Sequence, residues 1–318
     1  MESFTAVLSP ILFLAISIAV GFVVEKTRLV PNLGKSISKL ITSVSLPALV
    51  IVSLSDQDVT QVPLGEMGTV LGVGLCAIVL LLAVNYRVGK RLKVPPERTL
   101  IHAYLGAFGN VIFLAYPLIS AVLGARGLFY AILFSMANDL VLWSAGVYFL
   151  NRHAQGGDAK LELKYLMNPN TVGYLIGLAL FALRLPLPEI LHAPLARLGE
   201  TTVPLSMLFI GSVLAGTKLK DALKSVSIWS LCVIKMVLVP LLFLGILWIL
   251  GIPQRGVAPV MLTVIALQIA MPPQTSLSVI ADRYRSDSAY AAQVIFISTL
   301  LSAGTLPGIY MLCSWLFR

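Results

Sequence analysis

The sequence predicts an all-α polytopic membrane protein: ten transmembrane helices forming two inverted five-helix repeats, with the fourth and ninth helices broken near prolines. Three observations predict it. First, 58% of the 318 residues are hydrophobic and 12% are charged, roughly half the charged share of a soluble domain, and the mean hydropathy is +0.92. The apolar residues fall in blocks of roughly twenty, the length that crosses a bilayer. Second, Lys and Arg crowd into alternate joints between those blocks. Third, prolines recur at a nearly constant separation.

Ten spans follow from the blocks, at roughly 6–24, 36–54, 67–86, 99–122, 127–150, 169–186, 201–217, 226–250, 257–281 and 288–316. The first shows no basic n-region before its apolar run, so it reads as a retained span rather than a cleaved signal. The second and seventh are the least hydrophobic, and each carries an internal proline, Pro47 and Pro204. They are candidates for interrupted or lipid-shielded helices. Joints 1–2, 3–4, 5–6, 7–8 and 9–10 together hold 17 Lys and Arg, the opposite side holds five, and Lys235 lies inside a span. Basic residues stay on the cytoplasmic side, so both termini are expected on the non-cytoplasmic side of the plasma (inner) membrane. The same distribution explains the net charge of +9 as a topology signal rather than a nucleic-acid patch.

The repeat is written in the prolines. Pro31 pairs with Pro188, Pro47 with Pro204 and Pro96 with Pro253 at a separation of 157; Pro10 pairs with Pro169 at 159 and Pro117 with Pro273 at 156. The chain therefore divides into a first five-helix half (1–150), a linker (151–168) and a second half (169–318). An odd number of spans per half turns the second half upside down, and that topology is the one found in secondary transporters. The linker carries a flexible Gly156-Gly157-Asp158 turn, and residues 161–166 are open to lying in the membrane interface. The stretch 188–199 reads as a short amphipathic helix on the outer surface.

Polar chemistry inside the spans is sparse and so informative. Span four reads Gly109-Asn110-Val111-Ile112-Phe113-Leu114-Ala115-Tyr116-Pro117, and span nine reads Gln268-Ile269-Ala270-Met271-Pro272-Pro273-Gln274-Thr275. Proline removes an N–H donor and disturbs the turn before it. Broken backbone at membrane depth survives only inside protein or beside a watery cavity. Two readings follow: kinked helices packed without a ligand, or interrupted helices whose free N–H groups and positive dipole ends receive an anion. In the second, Asn110, Gln268, Gln274 and Thr275 add neutral polar contacts. Asp139 and Lys235 are charges deep inside spans five and eight and default to functional candidates. They either pair with each other as structural glue, or Asp139 exchanges a proton while Lys235 draws in an anionic substrate.

Other chemistries find no support. Cys76, Cys232 and Cys313 are dispersed in apolar blocks, His102, His153 and His192 show no ligand spacing, and hydrolase, zincin and nucleotide-binding motifs are absent. No enzyme activity, metal or cofactor is expected.

The ordered set Ser45-Leu46-Pro47-Ala48-Leu49, Gly109-Asn110 through Pro117-Leu118, Asn168-Pro169, Thr202-Val203-Pro204-Leu205, Met271-Pro272, Ala281-Asp282-Arg283-Tyr284 and Gln293-Val294-Ile295-Phe296-Ile297-Ser298-Thr299 resembles the auxin efflux carrier family along the full chain. The resemblance implies a scaffold of helices 1, 2, 6 and 7 and a mobile transport domain of helices 3–5 and 8–10, with an elevator-type movement. Helices 4 and 9 would cross at their prolines, with Asn110, Pro117, Pro272 and Pro273 forming the crossover. Asn138 and Asp139 would lie beside it, and Ser53 and Ser55 would face substrate from the scaffold. The long hydrophilic loop of many plant members is absent, which points to a bacterial-type carrier. The expected partner is a small carboxylate, malate- or malonate-like or an indole acid. Coupling to H+ is one reading and coupling to Na+ another, since bile-acid sodium symporters share the general fold. A non-transporting membrane sensor or structural protein is the remaining alternative, and a homodimer is left open.

Overall fold

The computed structural model describes residues 16–58, 62–155, 167–216, 222–252, 255–284 and 286–317. Among these, helices account for the regular structure, and the only strand-like pairing is a single antiparallel bridge between Gly109 and Pro273. Six helices are long and apolar enough to cross a bilayer: Leu33–Ser55, Leu64–Arg91, Ala115–Arg152, Glu189–Ala215, Val226–Ile249 and Ser288–Leu316. Pro169–Leu183 and Pro259–Ala270 are apolar but shorter. The helix in the first predicted span covers 16–27, with residues 6–15 outside the described set; so are the Gly156-Gly157-Asp158 turn and the 161–166 stretch. The predicted amphipathic stretch is helical from Glu189 to Glu200.

Prolines act here in two ways. Pro96, Pro169 and Pro259 stand in the first turn of their helices, where a missing N–H costs nothing. Pro47 and Pro240 instead fall inside long helices, and each follows directly on a π-helical turn, Ile41–Ser45 and Ile234–Leu238. The widened turn takes up the clash between the proline ring and the carbonyl four residues back. Span two is thus continuous rather than interrupted, and Pro204 sits in the first turn of Thr202–Gly216. Neither helix is broken in the sense expected.

The helix from Ala115 to Val141 is not straight. Gly124 has φ 64 and ψ −161, a region that only glycine occupies at little cost, and it turns the chain where the sequence places the joint between spans four and five.

The chain falls into two compact units. One comprises the described part of Met1–Pro63, Tyr116–Phe129 and the described part of Met167–Thr217; the other comprises Leu64–Ala115 with the described parts of Tyr130–Leu166 and Lys218–Arg318. In the first unit, Leu46–Ser55 packs on Pro169–Leu183. Contact is close because Gly173 and Gly177 face Pro47 and Leu54, where an added Cβ would lie 3.2 and 2.8 Å from the nearest atoms. Helices 16–27 and Thr202–Gly216 touch backbone to backbone: a Cβ on Gly211 would stand 2.0 Å from the Ile18 carbonyl oxygen. In the second unit, Leu64–Arg91 packs along Pro96–Ala107, and a Cβ on Gly106 would overlap the Asn85 side chain at 2.1 Å. Arg98 Nε binds Asp287 Oδ2 at 2.6 Å, while Asp287 Oδ1 accepts the Tyr290 N–H at 2.7 Å and so caps the long C-terminal helix.

These contacts separate two kinds of glycine. Gly124→Ala is expected to destabilise by roughly 1–3 kcal/mol from backbone strain alone, since an added Cβ there meets no atom. Gly245→Ala, also in open space but with helical backbone, is expected to be neutral or stabilising. Thermal unfolding of both variants in detergent checks the pair; equal shifts would remove the special role of Gly124.

Candidate functional site

The second unit holds two interrupted helices that meet. Pro96–Ala107 ends at Phe108, whose φ −81 and ψ 112 are extended. Pro259–Ala270 ends at Met271, with φ −57 and ψ 139, the extended conformation imposed on a residue before proline. The two extended stretches run antiparallel. Asn110 N donates to Pro272 O at 2.7 Å, Gln274 N donates to Phe108 O at 3.0 Å, and Gly109 faces Pro273 between them. These two bonds bracket a narrow pair that exchanges no hydrogen bond. Pro273 is therefore placed where its lost N–H is not needed. Gly109 is required by the close approach: a Cβ there would lie 3.2 Å from Met271 Cβ and 3.4 Å from Gln268 O.

This corrects the expected role of Pro117. The crossing on the first strand is made by Phe108-Gly109-Asn110, and Pro117 lies in the first turn of the helix that resumes at Ala115, in the other unit. The two helices that end at the crossing are both 12 residues long and open at Pro96 and Pro259.

Around the crossing lies a set of buried side chains with unused hydrogen-bonding atoms. Neither Asn110 Nδ2 nor Asn110 Oδ1 has a partner among the described residues, and the same holds for Asn138 Oδ1, Gln268 Oε1 and Thr275 Oγ1. All four residues are buried. Their remaining contacts hold them in place: Gln268 Nε2 donates to Ala131 O at 3.2 Å, and Asn138 Nδ2 shares two long contacts of 3.5 Å, with Gln274 Oε1 and Asp139 Oδ1. Ser135 Oγ donates to Ala131 O and Val111 O, tying the helix bearing Asn138 to the interrupted strand. Each orphaned polar atom costs about 1–3 kcal/mol, so these side chains together are the candidate site. Asn110, Asn138, Gln268, Gln274 and Thr275 were all expected from the sequence, and the structure gathers them in one unit.

Lys235 has main-chain partners that the sequence did not suggest. It is 1% exposed, in the π-helical turn ahead of Pro240, and Nζ donates to Gly106 O and Ala107 O, both at 3.1 Å. Those are C-terminal carbonyls of the interrupted helix, left without helical partners, and a cation suits the negative end of the helix dipole. Lys235 thus caps the break rather than pairing with Asp139. Asp139 is 5% exposed beside Asn138. Ser53 and Ser55 belong to the other unit, where both are half-buried and Ser55 Oγ donates to Val52 O at 3.0 Å.

Two buried polar residues escaped the sequence reading. Asn85 is fully buried against Gly106, its Nδ2 donating to Leu81 O at 2.9 Å and its Oδ1 unpartnered. Asn85 is polar in an apolar block, but its position near the block's end reads as interfacial. His102 is fully buried, with Nδ1 2.8 Å from the Tyr290 hydroxyl; only the fold brings residue 290 to it.

The family described as "Membrane transport protein" matches residues 6–310. An "Uncharacterized transporter" of Methanothermobacter thermautotrophicus is 26% identical over 277 residues, covering 86% of this chain and 87% of its own.

Gly109→Val should force the two strands apart and lower thermal stability, while Lys235→Met should leave the Gly106 and Ala107 carbonyls unpaired at about 1–3 kcal/mol each. A capping role further predicts that methylammonium chloride restores part of the Lys235→Met melting temperature and leaves the wild type unchanged. Equal response of both proteins would contradict the capping role.

Proposed function

Because the chain belongs to the auxin efflux carrier family of membrane transport proteins, we propose that it is a secondary active transporter of small organic anions, carboxylates of the malate, malonate or indole-acid kind. The observation that carries this reading is the antiparallel crossing with its buried, unsatisfied amides and hydroxyl. Asn110, Asn138, Gln268 and Thr275 offer both donors and acceptors, Asp139 stands beside Asn138, and the Lys235 ammonium lies at the end of the helix that leads into the crossing. Such a setting favours a negatively charged solute with hydrogen-bonding oxygens.

In this reading the ten spans form two inverted repeats. The matched lengths of Pro96–Ala107 and Pro259–Ala270, each opened by proline and ended by an extended residue, support it. The unit that contains the crossing is the transport domain, and the unit built on Leu33–Ser55 and the helices of 169–216 is the scaffold of an elevator mechanism. The division of contacts supports this, with Tyr116–Phe129 grouped on the scaffold side as the one departure. Ser53, Ser55 and Pro117 are then scaffold residues and act on substrate only from there. Asp139 is the proton-exchanging group. Sodium coupling is less well supported, because half-helix carbonyls that would hold a cation already hold Lys235.

Thermal stabilisation of the purified protein by malate, malonate and indole-3-acetate, against the neutral amide malonamide, tests the reading. A carboxylate at a hundredfold excess over its Kd should add about 2.7 kcal/mol, the amide nothing, and exchange of sodium for choline should not matter. Asn110→Ala should keep its own melting temperature yet lose the shift, and its proteoliposomes should lose counterflow of the same carboxylate. A full response in Asn110→Ala would remove the crossing from substrate binding.

A further inference from the structure

A groove in the crossing-bearing unit has chemistry opposite to that of the crossing. It is open to the surface, has a volume of about 880 Å³ and is walled by the helices Leu64–Arg91, Pro96–Ala107 and the stretch from Val141 to Arg152. Its walls are apolar, with Leu82, Ala83, Leu100, Ala103 and Phe149 among them. The buried hydroxyls in the walls are already used: Tyr104 OH donates to Gly146 O at 2.6 Å, and Thr99 Oγ1 donates to Val94 O at 3.0 Å. None of the lining residues carries an orphaned buried side-chain atom among those described. A small polar solute would find nothing to bind there.

The groove has a length and a charged end. Val79 and Lys90 line it from one helix, and Val141 and Arg152 line it from another. Each pair is 11 residues apart, about 16 Å at 1.5 Å per residue, which matches half of the roughly 30 Å hydrocarbon core. Lys90 and Arg152 stand at the C-terminal ends of their segments, in two of the five joints where the sequence concentrates basic residues. Lys90 Nζ lies 4.6 Å from the Tyr86 ring centroid, a contact that holds the ammonium at the mouth of the groove. The arrangement is an open-sided sleeve about 16 Å long with two cations at one end.

We propose that this sleeve is a binding site for one anionic phospholipid of the leaflet on the basic side. The acyl chains fill the space beside Ala83, Ala103 and Gly146, and the headgroup phosphate meets Lys90 and Arg152. Basic pockets at helix ends recognise such headgroups through charge, and apolar length supplies the rest. Because the walls include Pro96–Ala107, which runs into the crossing, the bound lipid braces one of the two interrupted helices. The proposal is independent of which anion the crossing carries.

Native mass spectrometry of the full chain, stripped of lipid and then titrated with phosphatidylglycerol or with phosphatidylcholine of the same acyl chains, tests it. One phosphatidylglycerol should be retained in preference to phosphatidylcholine. Lys90→Gln with Arg152→Gln should weaken that retention about thirtyfold, and Ala83→Phe, which puts a ring into the sleeve but leaves both charges, should weaken it as well. Unaltered circular dichroism and melting temperature establish that each variant folds. If a variant fails that check, the wild-type preference between the two lipids decides alone. Equal retention of both lipids, retention unaffected by Ala83→Phe, or displacement of the lipid by inorganic phosphate at equal concentration would each overturn the site.

Discussion

Two hydrogen bonds, from Asn110 N to Pro272 O and from Gln274 N to Phe108 O, are the constraint from which the rest of the candidate site follows. A helix that stops in the middle of an apolar unit leaves carbonyls and amides with no water to receive them. Here the two interruptions satisfy one another. They do so in the geometry of a minimal antiparallel ladder, and the proline and glycine of the narrow pair are the residues whose presence that geometry tolerates or requires. What the ladder does not use are the side chains of Asn110, Asn138, Gln268 and Thr275, on which the proposed site rests.

The rest of the unit compensates for the interruption. Lys235 covers the carbonyls of Gly106 and Ala107 that the ladder cannot reach, and the widened turn ahead of Pro240 is where it springs from. A buried ammonium is unfavourable unless paired, and here the partner is a helix end rather than a carboxylate. Asn85 fills the space that Gly106 leaves open on the same helix. Polar groups that look isolated along the chain thus converge on the last turn of Pro96–Ala107. That helix also walls the apolar sleeve, so the unit carries a polar site and an apolar groove on one element.

Much of this was legible in the chain. Helical blocks are set by length and hydropathy, and Val226–Ile249 and Ser288–Leu316 lie within a residue of the expected spans. The polar residues of the site were legible because polar groups inside apolar blocks are few. Pro117 was misread because proline spacing reports where a donor is missing, whereas an interruption forms where backbone groups find distant partners. Gly109 and Asn110 find theirs at residues 272–274, and no local pattern encodes that. The same limit hid His102, whose contact is with Tyr290, and the role of Lys235, whose acceptors are main-chain atoms.

The central claim is that the strands at 108–110 and 272–274 touch. In a protein whose Cys76, Cys232 and Cys313 are replaced by alanine, Phe108→Cys together with Gln274→Cys would place two thiols on residues directly opposite one another across the ladder, where Cα atoms stand about 5.5 Å apart, within the range a disulfide spans. Mild oxidation followed by mass spectrometry of the linked peptides should show nearly complete bridging. Thiols that stay free under the same oxidant would mean that the two helices do not cross there, and the site built on that crossing would not exist.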